Sequence, residues 1–360
     1  MFSANRLVLA RQRRRLTGKA LAELAGVTAV TISRLESSIH DPEPSTLTAI
    51  ANALEFPEEF FSGGDVEPLP AEAASFRSLT AMSATERNAA LAAGSLAYLL
   101  ADWVGERFNL PVADLVSLDQ ERDAEMAAVT LRQLWGLGEQ PISNMIKLLE
   151  FKGVRVFSLA ENTKNVDAFS CWRDGVPYVF LNTYKSAEHG RFDAAHELGH
   201  LVLHKHGGPN QGREAESEAN AFASAFLMPS SDVISRIRFV GNLSDLIAAK
   251  KRWGVSVAAL TYRLHKLGVL GDWQNRNLCI QLSKRGYRSS EPSPMAREES
   301  VMWKKVFEDL WRDRVTKADI ARELRVPQSE IENLVFGLVS SPEPSNELKA
   351  VSGRPTLKLV

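Results

Sequence analysis

A chain of 360 residues, 44% hydrophobic and 24% charged, has the make-up of an ordinary soluble globular protein and is long enough for two or three domains. Its net charge of −1 excludes polyanion binding by bulk charge, so any nucleic-acid contact must rest on a local surplus. The two cysteines, Cys171 and Cys279, lie far apart, which excludes a disulfide framework and a thiolate zinc site. A reducing, cytoplasmic setting is therefore expected. There is no secretory h-region, and no stretch reaches the roughly 18 apolar residues of a membrane span.

Residues 1–62 read as a run of short helices. Thr17 caps a helix running to Ala25, Gly26 supplies a tight turn, and Thr28 caps a second helix from Ala29 to about Ser37. Leu21, Leu24, Val27, Ile32 and Leu35 have the spacing of a packed helix pair. Helix, short turn and second helix make a helix-turn-helix, whose second helix enters the major groove of duplex DNA. Within residues 1–34, Arg6, Arg11, Arg13, Arg14, Arg15, Lys19 and Arg34 stand against one acid, Glu23, which is the local surplus a phosphate backbone needs.

The segment Leu21–Thr28 with Thr31–Glu36, and Pro44 with the helix to Leu54, resembles the XRE/Cro-like helix-turn-helix family. The resemblance implies DNA contacts from Thr28, Ala29, Val30, Thr31 and Arg34, with Arg14 and Lys19 on the backbone. Gly18 stands where the family often carries a glutamine. Ala29, Val30 and Thr31 offer methyl groups more than base hydrogen bonds.

Residues 63–75 read as a linker, from Gly63-Gly64-Asp65 and Pro68-Leu69-Pro70. Residues 76–150 read as helical throughout, with Asn88–Val104 the clearest helix. Residues 151–270 then change period. Val154–Phe157, Ala168–Trp172 and Val176–Leu181 alternate as strands, and Asp174-Gly175 marks a hairpin. Helices follow over 191–204 and 213–228, the second stopped by Pro229.

The first of these helices carries His196-Glu197-Leu198-Gly199-His200. Histidines at i and i+4 project side by side from one helix face and can share a zinc ion. Glu197 lies between them, placed to take a proton from a water activated there. A catalytic zinc wants a third protein ligand. Glu216 shares a helical row with Asn220, Ala223 and Leu227, which favours it over Glu218. Asn220 is then a candidate to orient a ligand histidine. His204 continues the i+4 series and is the rival ligand, ranked as pocket-lining or supporting. Tyr184, His204, His206, Tyr262 and Arg263 are candidate oxyanion donors.

Arg191–His204 together with Glu216–Ala223 and Leu227-Met228-Pro229 resembles the ImmA/IrrE family of metallopeptidases. That resemblance implies a zincin-like fold, Zn2+ as cofactor, and the first glutamate of the second block, Glu216, as third ligand. Pro141–Asn144 and Asp167–Ser170 resemble regulators that join this domain to an XRE module. The expected fold class is α+β, mostly helical: an all-α N-terminal domain, a zincin-like domain with a small sheet, and a helical C-terminal region.

Residues 271–340 read as helical with one break near Ser289–Pro294, and 341–360 as a disordered tail rich in Ser, Pro and Glu. Lys317–Leu324 and Gln328–Phe336 mimic helix-turn-helix spacing, but Glu330 and Glu332 repel phosphate, so the pair reads as packing or dimer contact. Trp303, Phe307 and Trp311 read as core, as does Cys171.

Three functions follow. The first is a DNA-binding regulator, as a homodimer, that cleaves a protein: a helix-turn-helix repressor, or this chain near Ser62–Ala74. The second is a regulator whose zinc domain senses a ligand or partner without cleavage. The third is an antitoxin-like repressor. The intact Glu197 favours the first over the second.

Overall fold

The structure, a computed structural model, describes residues 2–70, 82–159, 168–204 and 212–339. His206, residues 71–75 of the expected linker, residues 71–74 of the Ser62–Ala74 stretch and the tail 341–360 lie outside them.

Four helices open the chain: α1 (Ala4–Arg13), α2 (Gly18–Ala25), α3 (Ala29–Glu36) and α4 (Pro44–Leu54). Thr17 and Thr28 accept hydrogen bonds from the amides of Ala20 and Thr31, the caps expected from sequence. Gly26 ends α2 at φ 66°, a left-handed turn that a Cβ disfavours. Leu21, Ile32 and Leu35 are buried, whereas Leu24 is 62% exposed, so the apolar spacing over-reads that position.

Ser83 and Glu86 form a reciprocal capping box that starts α5 (Ala84–Gly105). This helix is buried along most of its length, as its all-round apolar surface requires. It packs on α1 at one side, and Tyr98 Oη lies 3.2 Å from Cys171 Sγ at the other. The expectation of continuous helix over 76–150 fails for 106–123 and again for 135–144, where no helix forms. Pro111 lacks an amide donor and pushes its predecessor out of helical conformation. Asp123 then caps α6 (Ala124–Leu134), and Asn144 caps α7 (Met145–Phe151).

Strands β1 (Arg155–Ser158), β2 (Ala168–Arg173) and β3 (Val176–Leu181) form one sheet in the order β1-β3-β2, parallel for β1 and β3 and antiparallel for β2 and β3. Asp174 and Gly175 both have positive φ, 49° and 78°, the backbone of the tight hairpin their sequence signals. Helix α8 (Ala187–Leu203) lies against β2 and β3, and α9 (Arg213–Leu227) lies against α8.

The chain continues as α10 (Ser230–Arg236), α11 (Leu243–Ala249), α12 (Val257–Lys266) and α13 (Asp272–Lys284). No helix forms over 285–300, a longer break than the sequence indicates. Then come α14 (Val301–Arg312), α15 (Lys317–Leu324) and α16 (Gln328–Val335). The last of these returns to α5 and β1, so this helix pair packs inward. Trp303 is buried and donates to the Val156 carbonyl at 2.8 Å, with Phe307 stacked on it. Trp311 is 70% exposed and is not core: the spacing of four drifts off the buried face by the third turn.

Candidate metal centre and nucleic-acid interface

Helix α8 begins one turn before the first apolar residues of its motif, because Ser186 accepts from the His189 amide and fixes the start. From there the i, i+4 spacing brings His196 Nε2 and His200 Nε2 to 3.1 Å of each other. Glu216 of α9 reaches both, with carboxylate oxygens 3.3 Å from His196 Nε2 and 3.5 Å from His200 Nε2. The close approach of α9 depends on Gly199, where a Cβ would stand 3.1 Å from the Phe222 ring and 3.3 Å from Ala219 Cα.

These three residues form the one group of potential metal donors among the described residues. A tetrahedral ion with bonds of about 2.0–2.1 Å has donor-to-donor edges of roughly 3.3 Å. The imidazole nitrogens at 3.1 Å, with one Glu216 oxygen 3.3 Å from His196 and the other 3.5 Å from His200, are separations of that size, and two imidazoles with one carboxylate suit zinc.

The electrostatics hold His200 and Glu216 in ligating form, whereas the neighbouring carboxylates favour a proton on His196, which a bound cation would displace. Burial pushes His200 down to about 4, against the opposing hydrogen bond of Glu216, so its ring is neutral at neutral pH. Burial also opposes a proton on His196, but Glu216 and Glu197 outweigh it and raise that group. Burial raises Glu216, yet the two imidazoles prevail and hold it down to about 2, fully ionised.

Glu218, the rival third ligand, turns instead to His204, with Oε2 2.8 Å from Nε2. His204 Nδ1 lies 3.0 Å from His200 Nδ1, so a chain runs from the inner imidazole through His204 to a carboxylate. His204 thus stands behind His200, away from Glu216.

Glu197 is buried, 3% exposed, and accepts a 2.7 Å hydrogen bond from the Ser170 hydroxyl of β2. Ser170 drew no role from sequence reasoning. Its inward position on β2, facing α8, was the available signal. Asn220 makes no hydrogen bond to a histidine among the described residues; it lines a cavity of ≈ 280 Å³ together with His196 and Glu197.

The oxyanion candidates disperse. Tyr184 is exposed and stacks on Phe336. Arg263 is buried between Glu125 and the Met228 carbonyl. Tyr262 is 55% exposed and does not line the cavity, although Ala259 one turn earlier does. Cys171 is buried, its thiol pushed up to about 12 by desolvation, so it is no nucleophile.

At the N-terminus, Thr28, Ala29, Val30, Ser33 and Arg34 are exposed along one side of α3, and Val30 is 58% exposed. Thr31 is half-buried, and its hydroxyl meets that of Thr28 at 2.8 Å. Lys19 is exposed and loosely paired with Glu23 at 3.9 Å. Arg14 is engaged elsewhere. It bonds the Leu54 carbonyl at 2.7 Å and Glu330 at 2.5 Å, and lies over the Phe56 ring. Arg13 takes the other oxygen of Glu330 at 2.7 Å. Glu330 is buried, so the phosphate-repelling glutamate of the second helix pair anchors the first module.

Comparison with known proteins finds a match for each of these two regions. Residues 4–60 match a helix-turn-helix domain, and residues 149–265 match the peptidase M78 family, described as the IrrE N-terminal-like domain. The chain thus joins a helix-turn-helix domain to an IrrE-like domain of a metallopeptidase family. No curated protein matches the chain. No helix among the described residues is long and apolar enough to cross a membrane.

Proposed function

We propose that the chain is a DNA-binding transcriptional regulator that controls expression by zinc-dependent cleavage of a protein, with a helix-turn-helix repressor or the chain itself as substrate. The observation that carries this reading is the His196–His200–Glu216 cluster with its closely spaced donors, beside a buried carboxylate that is not part of it.

His196, His200 and Glu216 would hold the ion. When bound, zinc supplies Lewis-acid polarisation of a peptide carbonyl and makes water a better nucleophile. The remaining chemistry belongs to the chain. Glu197 accepts the proton of the attacking water and returns it to the leaving amine. The Ser170 hydroxyl holds the carboxylate of Glu197 in place while that happens. A His200 that offers Nε2 to a cation keeps its own proton on Nδ1 and donates it to His204, which in turn donates from Nε2 to Glu218. This chain fixes the ring's tautomer and angle.

Glu197→Gln tests the reading. It preserves shape and leaves the donor triangle intact, so zinc content and DNA binding are expected to stay as in wild type. General-base assistance is worth about a hundredfold to ten-thousandfold, and cleavage of a true substrate should fall by that much. If the variant relieves repression in cells as well as wild type does, proteolysis is not the regulatory step.

A second reading, a domain that senses without cleaving, draws on one observation. The buried pair that Glu330 makes with Arg13 and Arg14 ties the helix-turn-helix domain to the rest of the chain, a path by which occupancy could reach DNA.

A further inference from the structure

The cavity beside the donor triangle is lined by three carboxylates of one helix. Glu188, Asp193 and Glu197 stand on α8 with Phe192 among them. Glu197 has a role in the proposed chemistry. Glu188 and Asp193 do not, and both are ill satisfied.

Glu188 is 1% exposed. Its Oε1 accepts from Lys250 Nζ at 2.8 Å and from the Met295 amide at 2.8 Å. Its Oε2 is buried with no hydrogen-bond partner. Lys250 does not neutralise it fully, because the same ammonium lies 3.0 Å from Glu291. Two carboxylates against one ammonium leave one negative charge in a buried setting.

Asp193, five residues further along the helix, repeats the pattern. Its Oδ2 is buried without a hydrogen bond; Lys185 stands off at 3.8 Å, and His189 lies 3.6 Å from Oδ1. A buried acceptor left unmade is costly, and more so when charged, so such groups are retained where something comes to meet them.

We propose that this cavity is a specificity subsite for a basic side chain of the substrate, arginine above lysine, at a position neighbouring the scissile bond. The proposal rests on the peptidase reading and adds the substrate class to it. At ≈ 280 Å³ the cavity falls just below the roughly 300–1,000 Å³ of pockets that hold a whole small molecule, and fits one long side chain. Glu188 and Asp193 both line the cavity, so a guanidinium that enters meets carboxylates with an unmet oxygen each, and Phe192 offers an aromatic face to stack on. Lysine, a point charge, satisfies fewer acceptors at once. Ala168 and Ala259 leave room for the aliphatic stem.

Arginine amide and citrulline amide are probes of nearly equal shape that differ in charge. Calorimetry with the full-length chain should find arginine amide at least about tenfold tighter, the size one charge-assisted hydrogen bond gives. That preference should collapse in Glu188→Gln and in Asp193→Asn. Ala259→Leu, which fills the cavity and touches neither carboxylate, should abolish binding of both probes, and it keeps the test decisive if Glu188→Gln loses its fold with Lys250 unbalanced. Equal binding of the two amides, or none, overturns the subsite.

Digestion of a mixed peptide library by the zinc-loaded wild type separates this idea from the one beneath it. Cleavage flanked by Arg or Lys at one fixed position supports both. Cleavage with no basic preference overturns the subsite and leaves the peptidase standing. Retained preference for arginine amide with no cleavage of any peptide supports the subsite and counts against proteolysis.

Discussion

Helices α3 and α8 carry the residues on which the reading of this chain turns, and they are built in opposite ways. Along α3, Ala29, Val30, Ser33 and Arg34 face solvent, and only Ile32 and Leu35 are committed to the core. Along α8, nearly every residue from Ala194 to Leu203 is buried, and the polar ones are held by neighbours: Glu197 by Ser170, His200 by His204 and Glu216. A surface meant for a macromolecule leaves its donors loose, because the partner completes them. A centre meant for chemistry completes itself, because a small ion cannot impose order on wandering side chains. The comparison teaches where mutation should act: sharply and specifically in α8, gradually in α3.

The largest expected effect is loss of the metal. His196→Ala or His200→Ala leaves two donors of three, and zinc measured by elemental analysis of the dialysed protein should fall from about one per chain to near none. Glu216→Ala should weaken zinc affinity by more than Glu218→Ala. The latter acts only through His204, and loss of such supporting partners typically costs about tenfold to a hundredfold. A reversed ranking in competitive zinc titration would move the third ligand to Glu218 and break the assignment.

A smaller effect is expected at the contact between the two modules. Glu330 is buried and faces two guanidiniums, those of Arg13 and Arg14. Removing one partner of a buried pair costs about 3–5 kcal/mol when the remaining charge cannot reach water. Arg14 is partly exposed and can turn outward, which places Glu330→Gln at the lower end, about 3 kcal/mol. Urea unfolding of the full chain measures this; a change below about 0.5 kcal/mol, the range of ordinary surface substitutions, would reduce the contact to a solvated pairing.

That contact also marks what could be read from sequence and what could not. Local chemistry was legible. The Thr17 and Thr28 caps, the left-handed Gly26, the Asp174-Gly175 hairpin and the i, i+4 histidines all depend on residues within a few positions of each other. The helical row that favoured Glu216 is equally local, and the structure sets Glu216 beside both histidines. Long-range pairing was not legible. Ser170 reaches Glu197 across 27 positions only because β2 lies against α8. Lys250 and Glu291 converge on Glu188 from two separate elements, so the unmet oxygen beside the metal centre has no linear trace. Arg14 looked like a phosphate contact in a basic stretch, and a glutamate 316 positions away holds it. Periodicity failed where a helix left the core, as at Leu24 and Trp311.

The smallest effect, and the one that reads α3 directly, is the salt dependence of DNA binding. Each phosphate neutralised by a cation contributes about one to the slope of log affinity against log salt. Arg34 is exposed on α3, on the side that carries Ala29 and Val30. Arg34→Ala should therefore weaken binding to duplex DNA from the chain's own upstream region and flatten the slope by about one. Arg14→Ala should leave the slope unchanged, because its guanidinium is already spent on Glu330 and the Leu54 carbonyl; it should lower stability instead. Fluorescence anisotropy between about 50 and 200 mM salt separates the two, since that range spans several orders of magnitude in affinity for a protein with many phosphate contacts. A flattened slope in Arg14→Ala with none in Arg34→Ala would mean that DNA draws Arg14 away from Glu330, and that the two modules come apart when the protein binds.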